Sequence, residues 1–131
     1  MSLSAANPQM STAFDIRWPD GEAGSPATPL VFASPHSGRL YPDDMNPALD
    51  SLRIRRSEDA RVDDLIGQAP ALGAPVICAL TARAYLDVNR DPAELDPQLF
   101  AEALPAEARA LSPRVAAGLG VVARVASGGA E

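Results

Sequence analysis

The sequence predicts an α/β fold, because two short apolar runs flank a segment with helical spacing. The runs Leu30–Ala33 and Pro75–Leu80 have the length and composition of buried strands. Between them, Val62, Leu65 and Ile66 lie on one face of a predicted helix. Alternation of strand, helix and strand is typical of α/β domains.

The predicted helix begins at Ser57 and ends near Pro70 or Gly73. Serine is a favourable N-cap residue, since its hydroxyl accepts a hydrogen bond from a free N–H of the first turn. Glu58 and Asp59 follow it, and acidic side chains suit the positive end of the helix dipole. Proline and glycine are common where helices stop.

Residues 1–28 form a separate segment that we expect to be mobile, since it is rich in Ser, Ala, Pro and Gly. Within it, Phe14, Ile16 and Trp18 alternate with polar residues, a spacing that predicts a short edge strand. Residues 29–131 are assigned to one domain.

The carboxyl-terminal part of the sequence predicts three further elements. The segment Arg83–Asn89 reads as a third strand with polar residues at its far end. The alanine-rich segment Gln98–Ala110 favours helix, although Pro105 limits it. Residues Gly118–Val122 predict one more strand.

Composition excludes several classes of function. The formal net charge of −6 argues against a nucleic-acid partner, which needs a basic surface. All 11 basic residues are arginines, so there is no lysine nucleophile or phosphate-loop lysine, and every cation is a planar group suited to carboxylates. Cys78 is the only cysteine, which excludes an internal disulfide and a thiolate metal cluster.

Localisation is predicted from two features of the sequence. No apolar run is long enough to cross a membrane. The amino terminus lacks the basic and apolar regions of a signal peptide. We therefore expect a cytoplasmic protein.

His36 is the only histidine of the chain, and the first predicted strand leads directly to it. Ser34 and Pro35 end that strand, because proline cannot extend a central ladder. Ligands of open α/β sheets bind beyond the carboxyl ends of strands, so His36 is a candidate metal ligand or acid–base group. The alternative is a hydrogen-bonded packing residue.

Three clusters of polar residues follow predicted strands or begin the predicted helix: His36, the pair Glu58 and Asp59, and the group Arg83, Asp87, Asn89 and Arg90. One imidazole and one carboxylate are two of the three protein ligands of a typical catalytic zinc site. Such a metal promotes hydrolysis, and the arginines suit an anionic substrate. The pattern weakly favours a hydrolase.

Each cluster also has a structural interpretation. The two acids are charges at a helix start, and Arg90 with the adjacent Asp91 forms a surface ion pair. The run from Asp87 to Asn89 is turn chemistry. These interpretations stay open from the residues alone.

Several linked motifs, taken together, resemble the N-formylglutamate amidohydrolase family from about Leu30 onwards. The order of the motifs makes the resemblance specific. They are Ser34-Pro35-His36-Ser37-Gly38, Tyr41-Pro42, Ser57-Glu58-Asp59, Val62-Asp63, Leu65, Gly73-Ala74-Pro75, Arg83, Asp87-Val88-Asn89-Arg90-Asp91-Pro92, Glu94-Leu95-Asp96-Pro97 and Gly118-Leu119-Gly120-Val121.

The resemblance implies a three-layer α/β sandwich with a mixed sheet, similar to zinc carboxypeptidases (phosphorylase/hydrolase-like). It implies metal-dependent cleavage of N-formylglutamate to formate and glutamate, in histidine breakdown. The cofactor would be zinc or another divalent first-row metal, and the partner a small acidic N-acyl amino acid.

The resemblance also implies roles for single residues. His36 would be a metal ligand, and one acid of the Glu58–Asp59 pair a second, with Asp59 preferred. Asn89 and Arg90 are similar to the pair that holds a substrate carboxylate in zinc carboxypeptidases. Arg83 would polarise the formyl oxygen or hold the second carboxylate.

Family members are much longer, and their second half supplies a further histidine ligand and an acid for proton transfer. We therefore expect this chain to be an amino-terminal portion that is inactive alone, with unpaired sheet edges that favour self-association. Two other hypotheses remain: a metal-free relative that binds acidic amino acids through Arg83 and Arg90, and a fragment without function.

Overall fold

The fold is built on a mixed three-stranded sheet in the order β1–β3–β2. The computed structural model describes residues 13–19, 28–126 and 129. The strands are β1 (Phe14–Arg17), β2 (Phe32–Ser34) and β3 (Val76–Ala79). The helices are α1 (Ser51–Arg55), α2 (Val62–Leu65) and α3 (Pro113–Ala116), with short 3-10 helices at Asp43–Met45, Pro70–Leu72 and Pro97–Leu99.

The central strand β3 pairs antiparallel with β1 and parallel with β2. It lies within the predicted strand Pro75–Leu80, and its residues Val76 and Cys78 are almost fully buried. Ala69 and Ala74 complete the buried cluster beneath them, and Ile66 packs against it. The mixed sheet that the resemblance implies and the buried strand predicted at Pro75–Leu80 are therefore confirmed.

The described residues leave much of the opposite side of the sheet exposed. Register and the alternation of side chains place Phe14, Ile16, Ala33 and Ile77 on this side, here called the open face. Phe14 is 52% exposed. The short strand β1 at the sheet edge includes two of the three alternating residues that predicted it. Residues 1–12 and 20–27 of the predicted mobile segment lie outside the described residues.

The prediction of a buried strand at Leu30–Ala33 is wrong in two respects. Strand β2 begins two residues later, at Phe32, and ends at Ser34. Leu30 and Val31 are more than half exposed, because β2 is an edge strand whose flank is not packed against other described residues. Only Ser34 of β2 is buried.

The prediction of a helix that begins at Ser57 is also wrong. Helix α1 begins earlier, where Asp50 caps it by accepting a hydrogen bond from the Arg53 N–H. Helix α2 begins later, after Arg61, which has a left-handed backbone. The reason is a contact between residues far apart in sequence: the Asp59 N–H donates to the His36 carbonyl, so the chain at Asp59 is held against the loop after β2 and cannot start a helix.

The strand predicted at Arg83–Asn89 is a series of turns. The Asp87 side chain accepts a hydrogen bond from the Asn89 N–H, which is typical of a turn. This agrees with the structural interpretation of the run from Asp87 to Asn89. The Asp87 N–H donates to the Val121 carbonyl, so the backbone pairs with a loop and forms no ladder.

The predictions of a helix over Gln98–Ala110 and of a strand over Gly118–Val122 are also wrong. Over Gln98–Ala110 only the first two residues are helical, as part of a 3-10 helix, and turns built around Pro105 follow. Over Gly118–Val122 the backbone forms one isolated bridge between Leu119 and Ala123, since Gly118 has a positive φ that breaks a strand. The short helix α3, capped by Ser112, was not predicted.

None of the helices within residues 13–19, 28–126 and 129 is long and apolar enough to span a bilayer. These helices are short, and loops make up most of the described chain. The loop after β2 is nevertheless tightly placed: the Arg39 and Leu40 N–H groups both donate to the Leu80 carbonyl, beside β3. This contact fixes where the candidate site lies.

Candidate active site

His36 lies in a buried loop directly after β2, as the sequence predicts. Ser34 and Ser37 flank it, and their hydroxyl oxygens are 2.7 Å apart in a buried hydrogen bond. Gly38 then brings the backbone against β3, where a Cβ atom would lie 2.2 Å from the Thr81 carbonyl oxygen. The imidazole is therefore held by a loop with little room to move.

Both ring nitrogens of His36 have carboxylate partners. Nε2 lies 2.9 Å from Oδ1 of Asp87, which is buried, and Nδ1 lies 3.2 Å from Oδ2 of Asp59. The Asp59 N–H donates to the His36 carbonyl, so backbone and side chain both join this pair. When Nε2 donates its proton to Asp87, the lone pair of Nδ1 faces Asp59, which is about half exposed.

Arg83 links these groups from the other side. Its Nη2 donates to Oδ2 of Asp87 at 2.7 Å, and its Nη1 lies 3.2 Å from Nδ1 of His36. The same Nη1 is 4.0 Å from Oδ1 of Asp59. Four side chains from three separate segments therefore form one network.

The charge of Asp87 is stabilised in this network. Burial raises the pKa of the Asp87 carboxyl, but hydrogen bonds from His36 and the Asn89 N–H, with the nearby Arg83 charge, outweigh burial and lower that pKa. Asp87 is thus an anion, and in this form it orients His36. From the sequence alone, Asp87 is one of a polar group or part of a turn, with no predicted contact to His36. Its spacing of four residues from Arg83 was the available signal.

Glu58 is placed apart from His36. Its buried carboxylate accepts hydrogen bonds from the Tyr41 hydroxyl at 2.6 Å and from Nε of Arg55 at 3.2 Å. Burial, together with this carboxylate, raises the pKa of the Tyr41 hydroxyl. Of the two acids that the sequence left open, only Asp59 contacts the imidazole.

Asn89 and Arg90 lie beside the network and not inside it. Nε of Arg90 donates to the Leu119 carbonyl at 3.3 Å, and its Nη1 donates to the Asn89 carbonyl at 3.0 Å. Its Nε is 3.9 Å from Oδ2 of Asp87. Their predicted substrate-binding role therefore stays a prediction.

A cavity of about 290 Å³ opens at the network and is lined by Arg56, Asp59, Arg83 and Leu119, among others. Its volume is close to the lower end of the range for small-molecule sites. A neighbouring cavity of about 560 Å³ shares part of this lining, including Ser57 and Val125. Two polar residues of the smaller cavity, Asp59 and Arg83, contact His36.

The imidazole of His36 and the carboxylate of Asp59 are of the types that zinc binds. A tetrahedral site with zinc–ligand bonds of about 2.0–2.1 Å separates neighbouring ligand atoms by about 3.3 Å, and His36 Nδ1 and Asp59 Oδ2 are 3.2 Å apart. Metal-binding histidines commonly donate their other ring N–H to a carboxylate, as His36 can to Asp87. Among the residues that the structure describes, no three histidine, cysteine, aspartate or glutamate side chains are arranged so that together they could hold one metal ion.

In an α/β fold, the described residues hold an imidazole between two carboxylates, with an arginine alongside. The family model for N-formylglutamate amidohydrolase matches residues 28–131. The chain therefore belongs to the N-formylglutamate amidohydrolase family, as its motifs predict.

A solved structure supports the same assignment. The chain is similar to the crystal structure of N-formylglutamate amidohydrolase from Ralstonia eutropha JMP134, with 31% sequence identity and a TM-score of 0.76. The similarity covers 86% of this chain and 39% of that one, so this chain spans well under half the length of the relative. The search of curated proteins gave no match.

Proposed function

We propose that these residues serve the hydrolysis of the formyl amide of N-formylglutamate, giving formate and glutamate. The observation that carries the proposal is the position of His36, held between Asp59 and Asp87, in a network whose Asp59 and Arg83 line a cavity. The family match supports the choice of reaction, since a network of this kind alone suits many hydrolyses.

The proposal includes a divalent metal, zinc or another first-row ion, held by Nδ1 of His36 and by Asp59. When bound, such an ion polarises a carbonyl and lowers the pKa of a coordinated water to about 7. Asp87 keeps the imidazole in one tautomer and orientation through Nε2. The described residues supply two donors, so the proposal requires a third from elsewhere in a complete site.

Arg83 is the proposed catalytic arginine. Its Nη2 is held by the buried Asp87 carboxylate, which leaves Nη1 directed at the His36–Asp59 pair. A substrate formyl oxygen placed there would accept a hydrogen bond from Nη1, which stabilises negative charge that develops on that oxygen.

Grafting tests the reaction without depending on this chain alone. In the Ralstonia eutropha protein, the matched segment is replaced by residues 28–131 of this chain, and formate release from N-formyl-L-glutamate is measured. We expect the graft to release formate, and a His36→Ala graft to lose activity by about 100-fold or more. A graft that folds, by circular dichroism, yet releases no formate contradicts the proposal.

Metal binding is tested separately by calorimetric titration of the 131-residue chain with Zn²⁺. We expect binding that is lost in His36→Ala and weakened in Asp59→Asn, while Glu58→Gln, the matched control, is unaffected. Equal binding of Zn²⁺ by the wild type and His36→Ala contradicts the metal part of the proposal.

A metal-free binding protein for acidic amino acids is the second candidate function. It is favoured by one observation: Nη1 of Arg83 lies 3.2 Å from Nδ1 of His36, on the ring nitrogen that a metal would need. In that case N-formylglutamate would bind equally well with and without a chelator, and the graft would be inactive.

The fold and setting complete the proposal. We place the described sheet in a three-layer, zinc-carboxypeptidase-like sandwich, in which further elements cover the open face. A structure of a full-length family domain with this face bare speaks against that placement. The proposed setting is histidine breakdown in the cytoplasm, and cells lacking the protein are then expected to accumulate N-formylglutamate during growth on histidine.

A further inference from the structure

Arg56 differs from every other arginine of the described chain. All 11 basic residues are arginines, and ten of them place a side-chain nitrogen within 4.0 Å of a carboxylate oxygen. Among the described residues, Arg56 alone has no carboxylate partner. In a chain with a formal net charge of −6, an arginine without an acid beside it needs an explanation.

The local sequence explains why Arg56 is left without a partner. Arg56 follows α1 as its C-cap residue, and the nearest acid in sequence is Glu58. That carboxylate is buried and is already taken by the Arg55 guanidinium and the Tyr41 hydroxyl. The exposed Arg56 side chain therefore keeps all of its donors for another ligand.

Arg56 also lines the 290 Å³ cavity, together with Asp59 and Arg83. The charge of Arg83 is already balanced there by the buried Asp87 carboxylate, through a 2.7 Å hydrogen bond. Arg56 is thus the cation of the cavity lining that remains available to an anion. A planar guanidinium binds a carboxylate through two parallel hydrogen bonds.

We infer that Arg56 binds the side-chain carboxylate of the substrate and so selects N-formyl derivatives of acidic amino acids. This inference rests on the proposed function, because it places the formyl group at His36, Asp59 and Arg83. The side-chain carboxylate lies farthest along such a substrate from the formyl carbon, which suits an arginine at the exposed edge of the cavity. A substrate with a neutral side-chain amide would give the charge of Arg56 no anionic partner, so such a substrate is excluded.

Binding of matched ligands to the 131-residue chain tests the inference. N-formyl-L-glutamate and N-formyl-L-glutamine differ only in the charge of the side-chain terminus, and calorimetry gives the affinity for each. We expect the wild type to prefer the glutamate compound, and Arg56→Gln to lower that affinity about 10-fold or more while leaving the glutamine compound unchanged. Arg56→Lys keeps the charge but lacks the planar guanidinium that forms two parallel hydrogen bonds. We expect its affinity for the glutamate compound to lie between those of Arg56→Gln and the wild type.

Arg53→Gln is the control, because Arg53 is an exposed arginine of α1 that pairs with Asp50 and does not line the cavity. Its affinity for both ligands should equal that of the wild type. Arg56→Gln should also melt at the wild-type temperature, since the exposed side chain has no ion pair among the described residues. A preference for the glutamate compound that survives in Arg56→Gln overturns the inference.

Glutarate, a dianion without a formyl amide, separates this inference from the proposed function. If glutarate binds as well as N-formyl-L-glutamate, and Arg56→Gln weakens both, the Arg56 site is supported and the formyl-specific function is contradicted. If none of the three ligands binds the wild type, the Arg56 site is wrong, whatever the formate-release experiment shows.

Discussion

At the scale of single residues, one buried carboxylate connects most of the candidate site. Asp87 accepts hydrogen bonds from His36, Arg83 and the Asn89 N–H, and only 3% of its side chain is exposed. Removing one partner of a buried charge network leaves the others unpaired in a medium where charge is costly. Asp87 is therefore expected to matter for both stability and orientation.

We predict that Asp87→Ala lowers the free energy of unfolding by about 3 kcal/mol. The reason is that the partly buried Arg83 and the buried His36 both lose their buried carboxylate partner and keep only the half-exposed Asp59. Urea unfolding of the purified chain measures the change. Asp15→Ala is the control, since the half-exposed Asp15–Arg17 pair should contribute under about 1 kcal/mol; a loss of similar size in both variants contradicts the prediction.

A second buried carboxylate, Asp96, predicts how stability depends on pH. Burial raises the pKa of the Asp96 carboxyl, but hydrogen bonds from the Gln98 N–H and the Arg124 guanidinium outweigh burial and hold that pKa below its ordinary value. A lowered folded-state pKa stabilises the fold above the unfolded-state pKa of about 4, and this contribution is lost as pH falls through the folded-state value.

Urea unfolding of the wild type and Asp96→Asn between neutral and acidic pH tests this sign. The asparagine keeps the shape of the side chain and removes its charge. We expect the wild type to be more stable near pH 7, with the difference shrinking as the pH is lowered below about 4. A difference that grows towards acid pH would show that the sign is wrong.

At the scale of elements, the loop after β2 is set by its contact with β3 more than by its own preferences. A Cβ at Gly38 would lie 2.2 Å from the Thr81 carbonyl oxygen and 2.7 Å from the Leu80 carbonyl carbon, both of which are backbone atoms. Neither can move without disturbing the hydrogen bonds that Leu80 accepts from Arg39 and Leu40. Gly38 is thus required for close approach.

We predict that Gly38→Ala destabilises the chain by about 2 kcal/mol or more and weakens zinc binding, because His36 lies two residues away. Gly67→Ala is a graded control: its Cβ would lie 3.0 Å from the Asp64 carbonyl oxygen, so a smaller loss of stability is expected. Thermal unfolding and zinc titration of both variants give the comparison. Equal losses in the two variants would show that close packing at Gly38 is not the cause.

At the scale of the whole molecule, the described residues bury a cluster on one side of the sheet and leave apolar side chains exposed on the other. Phe14 and Ile16 of the open face are 52% and 40% exposed. An apolar hollow of about 260 Å³ is lined by Phe14, Ala33, Ile77 and Val88, among others. Contiguous exposed apolar surface next to a sheet edge favours association with another chain.

We predict that the purified 131-residue chain self-associates with increasing concentration. Sedimentation velocity measures this, and replacing both Phe14 and Ile16 by serine should shift the chain towards monomer. Leu111→Ser is the control, since Leu111 is 97% exposed but lies outside the open face. A wild-type chain that stays monomeric, or a control that has the same effect, argues against association through this face.

The sequence by itself determined the family, the central strand and the position of His36 at a strand end. These depend on local patterns: an apolar run, a proline that stops it, and motifs in a fixed order. The predicted pairing of His36 with an acid was left open between Glu58 and Asp59, because adjacent residues look alike in one dimension. Sequence patterns also misplaced the strand at Arg83–Asn89 and the helix at Ser57, where local preference was the only guide.

Only the tertiary structure showed which of those acids contacts the imidazole and what else holds the histidine. The Asp59 N–H reaches the His36 carbonyl across 23 residues, and Asp87 reaches Nε2 across 51 residues. Contacts at such separations depend on how β2, β3 and the later loops pack, so no local pattern contains them. The same packing leaves Arg56 at the cavity without a carboxylate partner among the described residues, because the neighbouring acid turns inward to Tyr41 and Arg55.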